Sequence, residues 1–569
     1  MVLLDASPLD PFGGSWLAAA VASLPIVSML VTLGLLRWKA HLAGLFSWGV
    51  AALVAVLAFG MPLAQMLSTS VQGIAYGIFP ILWILITAIW MYEVTVAAGR
   101  FDDLRATFFL ISDDPRVVGL IIAFCFGGLL EALAGYGAPV AITAAMLIAV
   151  GFGPLRSALI ALLANTVPVA FGAVGLPVLV AAEVGQFDDV LAISPITGRM
   201  TAVMCLVVPF LLLLVMDGKK GVRECWQVGL VIGATFGLTK WVVSATNLYT
   251  LTEIFASVMS LAMALVLLRF WQPVGGASAA ARIKEPLDPG LESTHATQSE
   301  DSAATKLTAV LEQLTTRRIV MALVPYIMVI GVFMIAAIPP VKELLVSTDL
   351  SFEWPLLQDS PAETDALSTH QVFTLGWAST PGILLALVAV LTGLVYQMTL
   401  AQIFRVLWTH VVRMRHTAMT IGCVVALAYV MGDSGQAIAL GIFIAGTGAA
   451  YAWFSPVLGW IGTYVTGSDT ASNILFSELQ SNVGITVGGD HEPLVHNLRA
   501  LFVGSGAAGG VVGKMISPQS LAIAASAIGI QGAESVILRS IFKWSLLLLA
   551  LLCIMSGLMS TPVLGWLLP

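Results

Sequence analysis

Apolar residues run along this chain in blocks, not in alternation. Blocks of roughly 20 residues, the length that crosses a bilayer as a helix, lie near 16–36, 42–59, 78–98, 196–216, 226–246, 250–268, 319–338, 376–396, 417–433 and 540–562. Two longer runs, 117–152 and 454–486, exceed one span and carry Gly, Pro or polar residues in the middle. Two more, 155–185 and 494–526, are interrupted halfway. The first long run holds Glu131-Ala-Leu-Ala-Gly135-Tyr136-Gly137-Ala-Pro139. Gly and Pro weaken or break a helix, and a carboxylate at membrane depth costs several kcal/mol. Broken backbone is tolerated there only where protein buries it or it lines a wet cavity. The pattern predicts two re-entrant helical hairpins and two broken helices.

Composition agrees: of 569 residues 59% are hydrophobic and 10% charged, with a mean hydropathy of +0.97, where soluble domains carry about 25% charge. A β-barrel would show short alternating segments instead. Basic clusters fall at Arg37/Lys39, Arg100/Arg105/Arg116, Lys219/Lys220/Arg223, Arg269, Arg317/Arg318, Arg405/Arg413/Arg415 and Arg539/Lys543. Acidic segments at the N-terminus, at Asp188/Asp189 and in the loop 339–371 (Asp349, Glu353, Asp359, Glu363, Asp365) fall between them. With both termini outside, every basic cluster becomes cytoplasmic, provided that 117–152 and 454–486 re-enter. The stretch 275–306 reads as a disordered linker.

An internal repeat follows. Met61-Pro-Leu-Ala-Gln65 is echoed by Met398-Thr-Leu-Ala-Gln402, each leading through an amphipathic stretch into a crossing, a hairpin and an interrupted helix. The hairpins enter from opposite faces, so the repeats are inverted, as in many secondary transporters with a mid-membrane site. The chain divides accordingly: first-repeat scaffold (1–116), first hairpin and broken helix (117–185), connecting helices (196–270), cytoplasmic linker (275–317), second-repeat scaffold (319–453), second hairpin and broken helix (454–526) and a last helix (540–562). The fold class expected is an all-α integral membrane protein.

Candidate chemistry gathers at the interruptions. The second hairpin turn, Thr466-Gly467-Ser468-Asp469-Thr470-Ala471-Ser472-Asn473, offers hydroxyls and a helix N-terminus to an anion, or is a capped loop. Gly135, Tyr136 and Gly137 form the other turn. Lys514 is the sole cation between Ala500 and Ala533. A buried ammonium needs a partner: a bound carboxylate, Asp469 or Glu131. Ser517 and Gln519 stand beside it. Glu131 is the preferred proton carrier and Asp469 the rival, since low dielectric and an arriving anion both favour the neutral acid. Asn165 and Thr166, before Pro168, are ligands or caps. The seven histidines lie in loops or at helix ends, and the five cysteines form no C-x-x-C pair; no cofactor, metal or nucleic-acid partner is expected.

Long stretches resemble the lactate permease family. They are Phe126-Gly-Gly-Leu-Leu-Glu-Ala-Leu-Ala-Gly-Tyr-Gly-Ala-Pro-Val-Ala-Ile-Thr-Ala-Ala145, Asn165-Thr-Val-Pro-Val-Ala-Phe-Gly-Ala-Val-Gly-Leu-Pro177, Leu458-Gly-Trp460, Thr466 to Asn473, and Gly513-Lys-Met-Ile-Ser-Pro-Gln-Ser520. The resemblance covers most of the chain. It implies an elevator-type carrier similar to the ion transporter superfamily, moving lactate or glycolate with protons across the bacterial cytoplasmic membrane. Sodium coupling with another small carboxylate is the alternative on the same fold. Membrane lipid surrounds such a carrier, and a homodimer is left open.

Overall fold

The computed structural model describes residues 15–36, 38–135, 137–288, 314–356, 372–489, 491–530 and 532–568. The apolar blocks fold as helices. Among the described residues nine are long and apolar enough to cross a membrane, or eleven if each of two bent pairs counts as one span. This is a multi-pass, overwhelmingly helical membrane protein. A small antiparallel ribbon, Leu350–Glu353 paired with Val372–Leu375, stands where a polar loop is expected.

Both long interruptions fold as helical hairpins. In the first, Pro115–Leu133 runs to the turn at Gly135 and Ala138–Val150 packs back along it. Gly137 makes the turn at φ 89°, a conformation open to glycine, and Pro139 starts the return arm where its missing N–H costs nothing. In the second, left-handed Gly467 (φ 76°) closes Ser455–Thr466. Ser468 then caps Asp469–Gly488, its hydroxyl accepting from the Ala471 N–H at 3.3 Å.

The broken helices follow directly. Pro154–Asn165 and the piece ending at Val184 are bent by 59°, with left-handed backbone at Ala173, Val174 and Gly175. Glu492–Lys514 and Pro518–Ala527 are parted by residues 515–517. In their most apolar windows, Pro115–Leu133 and Glu492–Ala527 are wholly buried within the protein, against 28% for Thr316–Ala336. The interrupted backbone is therefore sheltered by protein, while peripheral helices turn side chains such as Ile327, Met334 and Leu238 outward.

Around this centre, Trp83–Ala97 packs on Pro381–Val395, and Arg415–Asp433 packs on both Ala40–Leu57 and Leu63–Tyr76. Small residues permit these approaches: a methyl at Gly73 would come within 2.7 Å of the Ala426 backbone. The stretch Ser194–Val243 is two antiparallel arms folded at Asp217 and Gly218, tied at their open end by Ser194 Oγ donating to Ser244 O at 2.7 Å.

Two expectations need correcting. The linker is not disordered from its start: Gly276–Lys284 is helical, as its alanines favour, with Ile283 buried. Gly153 N–H donates to Ile283 O at 3.1 Å, and Arg282 pairs with Asp217 at 2.7 Å. Residues 289–306, like Asp359, Glu363 and Asp365 of the acidic loop, lie outside the described residues. Arg116, counted as a free charge in a cytoplasmic basic cluster, is fully buried against Asp114 (2.8 Å), Asp217 (3.0 Å) and Glu224 (2.5 Å). A count along the chain cannot see carboxylates brought back from about a hundred residues away.

Candidate functional site

Three side chains from the last turns before three separate breaks converge. Glu131 ends the first arm of the first hairpin, Asn165 ends the first piece of one broken helix, and Lys514 ends the first piece of the other. Lys514 Nζ donates to Glu131 Oε1 at 2.6 Å, and Asn165 Nδ2 donates to Glu131 Oε2 at 2.8 Å. Lys514 also donates to the Gly135 carbonyl at 3.1 Å, one of the acceptors a helix leaves unpaired at its C-terminus. That end carries partial negative charge, which favours the ammonium there. Glu131 is 1% exposed and Lys514 9%. So close a pair, this deep, offsets the cost of desolvating both charges only while both partners are present.

A second carboxylate faces the same space. Asp469 opens the second arm of the second hairpin, where helix N-terminal N–H groups suit an anion. Thr463 Oγ1 approaches its Oδ1 at 3.4 Å, and Oδ2 is buried without a hydrogen-bond partner. Gly510 lies against this carboxylate so closely that any Cβ would collide with Asp469 and Thr463. Gly172 lies close to Glu131 in a similar way: a Cβ there would stand a tight 3.1 Å from Oε1. Glycine in these helices makes room for acids.

Between the hairpin turns lies a cavity of about 330 Å³, at the small end of ligand pockets, which span about 300–1,000 Å³. Glu131, Gly135, Gly137, Gly467, Ser468, Asp469, Thr470, Lys514 and Gln519 line it, together with Thr466 and Ser520. An apolar middle (Leu33, Ile81, Leu85, Leu176, Val424) leads to a far end at His41, His416, Thr417 and Thr420. The two imidazoles stack there, with centroids 4.6 Å apart.

The other expected ligands point elsewhere. Asn473 Nδ2 donates to Pro177 O at 3.0 Å, tying the second hairpin to the first broken helix. Ser472 donates to Gly459 O at 3.0 Å, joining the two arms of its own hairpin. Thr166 donates to Leu162 O at 3.2 Å within its helix. Ser517 is buried, its hydroxyl capping the Ser520 N–H at 3.2 Å. Asn165 addresses Glu131 rather than the open cavity. Tyr136 lies outside the described residues. Reading the sequence alone passes over the His41–His416 stack. It also misses a second buried pair, Lys240 Nζ to Glu253 Oε1 at 2.5 Å. A lone charge inside each apolar block was the available signal for that pair.

Comparison with known proteins gives one consistent answer. A family model described as L-lactate permease matches residues 18–563. The chain is 35% identical to L-lactate permease of Escherichia coli strain K12, over 98% of each chain. It is 34% identical to L-lactate permease of Bacillus subtilis strain 168, over 98% of this chain and 99% of the relative. It is also 34% identical to glycolate permease of Escherichia coli strain K12, over 96% of each.

Proposed function

The chain belongs to the L-lactate permease family, and from that premise we propose that it carries lactate and glycolate, each with a proton, across the bacterial cytoplasmic membrane. Its relatives are named as permeases, not enzymes. The observation that carries the coupling is the single ammonium of Lys514, held by Glu131 at 2.6 Å in a cavity that Asp469 also faces.

The physical argument is competition. A substrate carboxylate entering between the hairpin turns seeks the same ammonium. Once it displaces Glu131, that buried carboxylate is left with Asn165 alone, and taking up a proton relieves the cost of an unpaired charge. One anion and one proton then enter together without changing the net charge of the site. Asp469 remains the rival carrier. Ser468 and Thr470 line the cavity and are the donors we assign to the 2-hydroxyl, whereas Asn473 is spent on Pro177. A site built to bond that hydroxyl rejects an analogue that lacks it.

The packing supports the inverted-repeat, elevator-type reading. Asp469–Gly488 of the second hairpin packs on Gly172–Val184, and Ala138–Val150 of the first packs on Pro518–Ala527, so each hairpin leans on the other repeat's broken helix. The far end of the cavity neighbours Lys39 and Arg415 in sequence. On the positive-inside rule that end is cytoplasmic and the termini lie outside.

Proteoliposomes carrying an inward proton gradient in sodium-free buffer test the proposal. Uphill L-lactate and glycolate uptake is expected, with propionate excluded. Uptake that requires sodium, or propionate entering as well as lactate, would overturn coupling or hydroxyl recognition respectively. Glu131→Gln should lose gradient-driven accumulation and keep part of exchange. Normal accumulation in that variant moves the proton to Asp469.

A further inference from the structure

Against the first broken helix, and outside the lining of the cavity, lies the second buried ion pair. Lys240 and Glu253 are both fully buried. Lys240 Nζ meets Glu253 Oε1 at 2.5 Å and donates to the Val167 carbonyl at 2.7 Å. The same ammonium stands over the Phe171 ring, 5.3 Å from its centroid. Val167 and Phe171 belong to the unwound turn that follows Asn165, where local backbone bonds are long: Thr166 N to Leu163 O and Val167 N to Ala164 O are both 3.4 Å. A carbonyl released from a helix in an apolar interior needs a donor, and Lys240 supplies it.

Glu253 reaches the neighbourhood of Glu131 by helix register. Thr252–Phe270 packs antiparallel on the first arm of the first hairpin. Cys125 and Ser260 are in contact at 3.4 Å, and a methyl on Gly128 would come within 2.7 Å of Ser257 Oγ. One further turn sets Glu253 beside the turn that carries Glu131. Two buried Lys–Glu pairs therefore hold one broken helix at its break, one through Asn165 and one through Val167. An apolar pair of similar volume would be the cheaper filling if packing were all that was required.

We infer that Lys240 and Glu253 are positioning residues for transport: by holding Val167 they keep Asn165 on Glu131, and so set how readily Glu131 yields Lys514 to the substrate. This rests on the transport reading above. The test is L-lactate counterflow in proteoliposomes of the full chain, which requires no net proton movement, with KM and Vmax measured separately. K240M/E253Q is electrically balanced but leaves the Val167 carbonyl bare. Its KM should rise about tenfold or more while Vmax stays within about threefold. K240Q/E253Q, also balanced, keeps an N–H donor for Val167 and should bring KM back toward the wild-type value. In a cycle with N165A, the KM effects of N165A and K240M/E253Q should not add. A K240M/E253Q protein that folds with wild-type KM, or that fails to fold at all, overturns the positioning role, as does simple additivity with N165A. Absence of lactate counterflow in the wild type would instead overturn the substrate assignment.

Discussion

Lys514 has one positive charge and two carboxylates before it, and much of the chemistry reduces to which of them it holds. K514M should cost about 3–5 kcal/mol of stability, as expected when one partner of a buried pair is removed. E131Q/K514M should recover most of that loss and remain inactive in lactate exchange. Thermal unfolding midpoints in detergent decide this: a K514M protein as stable as the double variant would mean that the 2.6 Å contact carries no such energy. Glu131, Asp469 and Lys514 were legible as lone charges in apolar runs, because a charge in such a place needs a reason. The partner choices were not legible. Asn165 looked like a ligand and proves to be a donor to Glu131, and Asn473 looked like a ligand and serves Pro177 O.

Hairpins and broken helices are defined by the residues that stop them and by those that let them touch. Gly467 and Gly137 stop, in the left-handed conformation, and both were visible as interruptions. Gly510 has another task, since its helix runs on unbroken and its missing side chain makes room for the Asp469 carboxylate. G510A should therefore abolish lactate exchange through steric conflict with Asp469 and Thr463. G510A/D469N should not repair it, because an amide is as large as a carboxylate, whereas G510A/D469A should regain stability. Melting curves of the three proteins check this, and a wild-type melting temperature in G510A would refute the close approach. Exposure along Leu400–Arg413 carries a different message. Leu400, Phe404, Trp408 and Val412 form an exposed apolar stripe, and the capping box of Thr399 with Gln402 starts the helix. It reads as a helix lying in the membrane interface.

Across the whole molecule the two halves of the chain interleave: Asp469–Gly488 packs on Gly172–Val184, and Ala138–Val150 packs on Pro518–Ala527. The orientation of the molecule is checked by single cysteines placed in a background lacking the native ones. S351C, in the ribbon beside the acidic segment, should react with an impermeant maleimide on intact cells. T409C, beside the basic cluster around Arg413 and Arg415, should react only after the membrane is opened. The reverse pattern would invert the topology and make the His41–His416 end of the cavity external. The pairing of scaffold helices was beyond reading in order along the chain, because Trp83–Ala97 and Pro381–Val395 are apolar over most of their surface and show no distinct face. Such helices record that they are buried or in lipid, not against what.

Taken alone, the sequence settled the solvent, the all-helical class, where the backbone must break, and which family's residues stand at the breaks. Those are local properties: hydrophobic length, Gly and Pro conformational preference, and the cost of a charge among apolar neighbours. Only the tertiary structure decided which charge answers which. Glu131 and Lys514 are 383 positions apart, and Lys240 could have answered any buried acid until Glu253 was folded against it. Pairing is fixed by packing of distant helices in a low-dielectric interior. There an angstrom of displacement changes an ion pair from strong to costly, and no pattern along the chain encodes that distance.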